Sequence, residues 1–359
     1  MRKQQLDGLR LLAFALVFWL HISQHHLVPI PCEYGRTGTD LFFALSGFLI
    51  TRMLLINSGN SILQEIRTFY IRRTLRIFPL YYVYLAILFF CHMLSHAPWY
   101  FCYAFNIGWY IHDWRQGIWS HLWTLSVEEQ YYLVYPIILL ATPARWRFLT
   151  IVALLFGFTY CNWTMRHHLF WLLTPTRTAL IWGSLAAFLD VKFTLKWLKG
   201  GLIFAIGLAI CLFFAYLEDF GQGMQPGVNF NSLFNSLYDP WQAIGFTLLV
   251  WGLWRAENKF LLAPFTAAPV VYLGKISYGL YVFHGSSFNL YYWLISLMPA
   301  LGRIQPAVFV LLLTIAQAMI SWHLLEKPMN DLKDRFVFAK PKVEPEREQR
   351  LSSRLEEPT

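Results

Sequence analysis

Charge is scarce in this chain of 359 residues, at only 14% Asp, Glu, Lys and Arg. A soluble domain carries roughly 25% charged residues, so a soluble fold of this length is excluded. Cysteine is scarce too. The five present, Cys32, Cys91, Cys102, Cys161 and Cys211, are scattered and lie mostly in or near apolar runs, which argues against a disulfide frame and against a Cys-based metal site. The pairs His25 with His26 and His167 with His168 lack metal-like partners, and no metal is assigned. Gly/Ser-rich and Pro-rich linkers are absent up to about residue 337, and no internal repeat is visible. One domain over 1–336 follows, and the two symmetric halves common in transporters are missing. The first apolar run leads into a polar loop without a small-residue cleavage pattern, so it reads as a span and not as a signal peptide.

Apolar sequence fills the space that charge leaves. Hydrophobic residues make up 57% and aromatics 18%, and mean hydropathy is positive. Apolar stretches fall near 9–23, 41–56, 77–95, 123–141, 147–163, 168–189, 201–217, 236–254, 268–297 and 305–325. A backbone crossing hydrocarbon must satisfy its polar groups internally, and helices do so segment by segment. The predicted fold is therefore all-α: a polytopic membrane protein, a bundle of about ten transmembrane helices. Ten crossings put both termini on one side. If that side is the cytoplasm, all but five of the 29 Lys and Arg residues, namely Arg36, Arg115, Arg166, Arg177 and Arg303, fall inside or at the inner ends of spans. That is a strong positive-inside bias. The net charge of +9 then reports topology and needs no nucleic-acid partner. The segment 337–359 mixes both charge signs with Pro and little apolar content, and reads as a disordered cytoplasmic tail.

Against this background the intramembrane polar groups stand out, because they are costly there and usually functional. Ser126, Glu128 and Glu129 open the fourth apolar run. Arg10 and His21 sit on the first, roughly 16 Å apart at 1.5 Å per residue. Arg72, Arg73 and Arg76 are placed in a cytoplasmic loop beside the third, close enough on one helical turn to form a compact cation cluster. Asp40, at the outer start of the second run, is a cap or a partner for an arginine or for His21. Tyr278 and His284 recur on one side of the ninth, with His284 about 14 Å beyond Lys275 and towards the level of His21. Glu326, near the inner end of the last run, reads as a structural residue.

The segments LDGLRLLAFALVFWLH, GTDLFFALSGFLI, RRTLRIFPLYY, WTLSVEEQYYLVYP, GKISYGLYVFH and SWHLLEKP, in this order, resemble the acyltransferase 3 family of membrane O-acyltransferases over roughly residues 6–330. The resemblance implies a ten-helix bacterial cytoplasmic-membrane enzyme. Such an enzyme takes an acyl group, commonly acetyl, from cytoplasmic acyl-CoA and places it on a hydroxyl of a carbohydrate or similar acceptor. Acyl-CoA is then a donor substrate, with no permanently bound cofactor. The family's basic residue and histidine fall on Arg10 and His21, its paired arginines on Arg73 and Arg76, and its Ser-x-Glu pattern on Ser126 and Glu128. In some members the domain is joined to an extracytoplasmic esterase-like domain. None is evident here, so acceptor handover is expected to fall to separate glycan-assembly proteins or to be absent.

The chemistry expected from these residues starts with a base for a poorly nucleophilic hydroxyl, and His21 suits that role. Glu128 or Glu129 is expected to hold its tautomer, as the acid does in a catalytic triad, with Ser126 in the same site. Arg10, Arg72, Arg73 and Arg76 are the expected donor-binding cations, because guanidinium forks match phosphate oxygens. Asp40, Tyr278 and His284 are weaker candidates for the substrate pocket. Direct attack on the thioester and a transient acyl-histidine both stay open. The plainer alternatives are an interfacial histidine, arginines that anchor topology, and N-terminal helix acids with Ser126 as cap. A transporter or flippase for a glycan or lipid-linked sugar is the competing function class.

Overall fold

The computed structural model describes residues 3–28, 33–56, 61–114, 117, 119–165, 172–193, 195, 197–223, 230–332 and 335, with the backbone alone at 33, 218–223 and 230–239. The predicted tail at 337–359, Cys32, Arg115, Arg166, His167 and His168 lie outside the described residues.

Helix accounts for nearly all of what is described, and no strand occurs among the described residues. In chain order the helices are α1 (Gln5–Gln24), α2 (Gly38–Ile56), α3 (Ile62–Phe90), α4 (Ala97–Phe101), α5 (Phe105–His112), α6 (Trp123–Ala141), α7 (Arg147–Thr164), α8 (Thr178–Lys192), α9 (Gly200–Gly223) and α10 (Phe230–Arg255). After them come α11 (Lys259–Thr266), α12 (Ala268–Lys275), α13 (Ser277–Leu297), α14 (Pro306–Ser321) and α15 (Lys327–Leu332), the last two joined by a π-helical turn, Trp322–Glu326. Five stretches are helical, long and apolar enough to cross a bilayer: Gln5–Gln24, Tyr34–Ile56, Ile62–Phe90, Gly200–Leu217 and Pro306–Leu332. Large apolar side chains also face outward, Phe90 at 77%, Phe156 at 73% and Leu133 at 62% exposure among them. Water would penalise such a surface and lipid tails would not. The chain is an all-helical membrane protein.

Two predicted elements are redrawn. The third span begins far earlier than its apolar run, because Ser61 caps α3 in a capping box with Gln64 and nucleates helix through a polar stretch. Arg72, Arg73 and Arg76 therefore lie on α3 and not in a loop. The run at 268–297 is broken at Ile276 into α12 and α13, which brings Ser277 to one internal space and Lys275, ending α12, to a second.

Glycine sets the closest approaches. A Cβ on Gly47 of α2 would stand 1.9 Å from the Leu180 carbonyl oxygen, and one on Gly183 of α8 would stand 2.2 Å from that of Ala44. The two backbones therefore touch, as small residues permit when helices pack in lipid. Gly274, ending α12, does the same for α1: its Cβ would fall 1.8 Å from the Asp7 carbonyl oxygen. A network of three ions and an indole ties α2, α8 and α10. Asp190 pairs with Arg52, accepts from Arg255 at 3.1 Å and accepts from the Trp251 indole at 3.1 Å. One apolar cluster is built on α1, α2, α6, α8 and α10, a second on α3 to α6 and α13, and a third on α1, α13 and α14. The polar site lies where these three meet.

Candidate active site

Five helices contribute to an internal cavity of about 100 Å³. Arg10 comes from α1, Ser46 and Phe42 from α2, Arg73 and Arg76 from α3, and Thr124, Glu128, Glu129 and Tyr132 from α6. Ser277, Tyr278 and Tyr281 of α13 complete the wall. The residues at 124, 125, 128, 129 and 132 lining it share one face of α6 by the i, i+3/i+4 rule. Beside it opens a wider vestibule of about 580 Å³, whose cations are Arg10, Arg72, Arg73, Arg76, Lys275 and Lys327. Asp7 and Asp331 also face it, with Trp322 and Asn330. Arg10, Arg73 and Arg76 line both spaces, so they stand at the passage between a basic vestibule and an aromatic-walled cavity.

Each arginine is positioned by its helix. Arg10 donates to Asp7 at 2.6 Å, one turn earlier on α1, and Asp7 is itself fixed by the close approach of Gly274. The Arg73 guanidinium lies over the Tyr132 ring at 4.9 Å, a cation–π contact between α3 and α6. Arg72 reaches only the vestibule, and its Nε is buried without a hydrogen-bond partner. Pro79 removes one backbone N–H from α3 just past the cluster, loosening the helix there.

The glutamates belong with these cations. Glu128 accepts from the Ser46 hydroxyl at 3.0 Å and, through its other oxygen, from the Tyr132 hydroxyl at 3.0 Å. The Tyr132 hydroxyl also lies 2.8 Å from that of Ser46, so its single proton is shared between Glu128 and Ser46. Glu129 lies within electrostatic range of Arg73, and its Oε1 is buried without a hydrogen-bond partner. Ser126 is fully buried at 0% exposure, its hydroxyl makes no hydrogen bond, and it lines neither space. Because α6 begins at Trp123, Ser126 sits inside the helix and does not serve as its cap.

His21 is elsewhere. Its ring meets that of His284 with centroids 4.8 Å apart, and His284 meets His121 at 4.4 Å. A carbonyl oxygen only accepts, so each ring nitrogen that touches one must carry the proton. His21 Nδ1 therefore donates to the Val17 carbonyl at 2.8 Å, and His284 Nδ1 donates to the Tyr281 carbonyl at 2.6 Å. His121 Nε2 donates to the Val282 carbonyl at 3.3 Å. The tautomer of His21 is thus fixed by its own helix; the expected hydrogen bond to Glu128 or Glu129 does not occur among the described residues. Neither space is lined by His21 or His284. Tyr281 joins the two regions: it lines the cavity, accepts from Thr124 at 2.7 Å and donates to the His121 carbonyl at 3.0 Å. Its ring centroid lies 5.4 Å from that of His284.

Of the weaker candidates, Tyr278 lines the cavity and donates to the Ile77 carbonyl at 3.0 Å. Asp40 is paired with Arg177 and lines neither space. Among the described residues no group of three or more His, Cys, Asp and Glu side chains is arranged to hold a metal. Sequence reading passed over Ser46, Tyr132 and His121. Tyr132 lies four residues after Glu128, a spacing that puts both on one helix face. The approach of Ser46 and His121 carries no local signal.

The helical membrane bundle thus gathers arginines and carboxylates around an internal passage and keeps three imidazoles in a cluster apart from it. The chain belongs to the acyltransferase 3 family: the family's model, described as an acyltransferase domain, matches residues 3–324. It is 27% identical to a Bacillus subtilis protein to which the name peptidoglycan O-acetyltransferase is provisionally given, over 90% of this chain and 54% of that one. A Staphylococcus aureus protein provisionally named an O-acetyltransferase is 26% identical over 90% of this chain and 56% of its own. The peptidoglycan O-acetyltransferase of Listeria monocytogenes is 29% identical over 38% of this chain and 24% of its own. The chain spans about half the length of the first and second of these relatives. No solved structure matches it.

Proposed function

We propose that the protein is an O-acetyltransferase of the cytoplasmic membrane, moving an acetyl group from cytoplasmic acyl-CoA to a hydroxyl of a carbohydrate on the outer side. Peptidoglycan, named for the relatives, is the first acceptor to test. The reading takes residues 1–336 as one domain of ten spans with both termini cytoplasmic. The observation that supports it best is the shared lining of the two spaces by Arg10, Arg73 and Arg76.

In this reading the donor's phosphates sit in the vestibule, where guanidinium forks take pairs of phosphate oxygens and Lys275 and Lys327 add charge. The uncharged pantetheine arm threads between Arg10, Arg73 and Arg76, bringing the thioester among Tyr132, Tyr278 and Tyr281. Beyond Tyr281, His21 accepts the proton of the acceptor hydroxyl through Nε2, the nitrogen left bare by its bond to Val17. The hydroxyl oxygen forms a bond to the acyl carbon, the carbon–sulfur bond breaks, and the proton passes from the imidazole to the thiolate. Glu128 and Glu129 line the passage and balance the arginines. They are not partners of the imidazole.

Purified protein in proteoliposomes, given labelled acetyl-CoA and soluble peptidoglycan fragments, should transfer label to the acceptor. His21→Ala should abolish transfer. Equal transfer by wild type and His21→Ala would remove the base from the scheme, and no transfer by the wild type to any glycan acceptor would remove the activity.

A further inference from the structure

The six cations of the vestibule suit the phosphates of an acyl-CoA and leave its adenine without a partner. Among the described residues Trp322 is the one aromatic side chain that lines this space. It is half-buried and packs against the third apolar cluster, which holds it at the wall. Over its ring stands the Lys275 ammonium, 5.3 Å from the centroid, a cation–π contact made by a second residue of the vestibule. The π-helical turn Trp322–Glu326 accounts for the way Trp322 comes to share the space with Asn330. On an unbroken α-helix eight residues make two revolutions and about 80° more. The extra residue of a π turn takes up one step of about 100° and leaves the two roughly 20° apart. Such turns are rare and frequently mark functional sites. The Asn330 amide is anchored, donating through Nδ2 to the Glu326 carbonyl at 2.9 Å, which leaves its Oδ1 as an acceptor. The exposed Asp331 carboxylate, lining the same space, is a second acceptor. Acceptors near an aromatic ring suit a base with an exocyclic amine, as adenine has, and oppose the carbonyl that guanine carries at that position.

We propose that Trp322 is the stacking platform for the adenine of the acyl-CoA donor, with Asn330 and Asp331 at the amino edge of the base. The inference rests on the reading of the vestibule as the donor's site. On binding, the base takes the ring face over which Lys275 stands, and the flexible lysine stem carries its ammonium across to the donor's phosphates. Guanidinium groups alone hold any polyanion of the right size. A stacked base adds a contact that other polyanions do not make, so the vestibule selects a thioester that carries a nucleotide over one that carries only a phosphate.

Two donors separate this role from packing: acetyl-CoA, and S-acetyl-4′-phosphopantetheine, which keeps a phosphate but has no nucleoside. In proteoliposomes, Trp322→Leu should raise KM for acetyl-CoA about tenfold, the scale of one lost base–aromatic stack, with kcat unchanged. KM for the phosphopantetheine ester should stay at the wild-type value, which also shows that the variant is folded. Trp322→Phe keeps a ring and should recover most of the loss. Calorimetry in detergent gives a reading without catalysis: adenosine 3′,5′-bisphosphate should bind the wild type about tenfold more tightly than Trp322→Leu, and inorganic pyrophosphate should bind the two alike. Equal KM rises for both donors would show packing alone. That result, an unchanged KM for acetyl-CoA, or equal binding of the bisphosphate by wild type and variant overturns the proposal. No binding of the bisphosphate by the wild type overturns it together with the donor reading. Binding that depends on Trp322 without any acetyl transfer leaves the nucleotide site standing and removes the activity alone.

Discussion

Gly274→Ala is a test that reaches the arginine-lined passage, the proposed donor site, without touching it. The added methyl carbon would lie 1.8 Å from the Asp7 carbonyl oxygen, 2.3 Å from its carbonyl carbon and 3.1 Å from its Cα. All three are backbone atoms, so no side chain can swing aside. Ordinary contact begins near 3.4 Å, and α12 must part from the start of α1 by most of the difference. Overpacking of this kind costs about 1–3 kcal/mol. Asp7 holds Arg10 at 2.6 Å, and Arg10 lines both spaces, so the displacement is delivered to the passage, where a shift of about 1 Å can cost on the order of a hundredfold in rate. The expected result is a loss of about 2 kcal/mol in stability and a rise of roughly tenfold in donor KM, one factor of ten corresponding to about 1.4 kcal/mol. Gly157→Ala and Gly302→Ala are the controls, since nothing lies within 4 Å of a methyl at either position. Thermal unfolding in detergent and initial rates against acetyl-CoA concentration supply the two readouts. If the damage runs through Asp7, adding Asp7→Asn to Gly274→Ala should cost much less than Asp7→Asn alone. Additive losses, or a Gly274→Ala enzyme indistinguishable from the controls, would refute the reasoning.

Three further expectations follow from the same geometry. Arg76→Lys keeps the charge at the passage but loses the planar fork, so donor KM should rise about tenfold with kcat little changed, measured as initial rates in proteoliposomes. Glu128→Gln turns an acceptor of two hydroxyl bonds, from Ser46 and Tyr132, into a group that sets an NH₂ against one of those donors. Stability in detergent should fall by about 1–3 kcal/mol, and the His21 tautomer read by ¹⁵N spectra should not change. Asp190→Ala leaves Arg52 and Arg255 without their shared carboxylate; it should destabilise the protein by about 3 kcal/mol in thermal unfolding while donor KM stays at the wild-type value.

Hydropathy made the helical membrane class legible, because it depends on composition along the chain. The start of α3 was not, since a capping box overrides the polar composition of residues 62–76, and the arginines were assigned to a loop in consequence. The break at Ile276 was hidden for the opposite reason: apolar sequence continues straight across it. Within the site, Arg10, Arg73, Arg76, Glu128, Glu129 and Tyr278 could all be singled out, and the fold gathers them around one cavity. What could not be read was which partner each would face. Residue counting places Glu128 and His21 in the same half of the bilayer, yet tertiary packing turns Glu128 towards Ser46 and Tyr132 and turns His21 towards His284. Asp40 had an arginine among its expected partners, and the fold supplies Arg177. Depth along a helix follows from residue counting; azimuth between helices does not.

The separation of carboxylates from imidazoles has a consequence for how a polyanionic donor would be handled. Six cations line the wide vestibule, and the narrow cavity beyond them holds two glutamates. A phosphate is therefore attracted as far as Arg10, Arg73 and Arg76 and opposed by the glutamates past them, while an uncharged acyl arm would meet aromatic, aliphatic and hydroxyl-bearing walls. A fall in positive charge across a constriction acts as a filter, because the low-dielectric walls keep the fields from being screened. It follows that the glutamates need not touch the reacting atoms to matter. A carboxylate beside His21 would serve the base, but it would leave the cavity entrance with cations alone and draw the phosphates into the space the acyl group must occupy. Keeping the carboxylates at the cavity and away from His21 avoids that conflict, which is a physical reason for the fold to hold the two sets of groups apart.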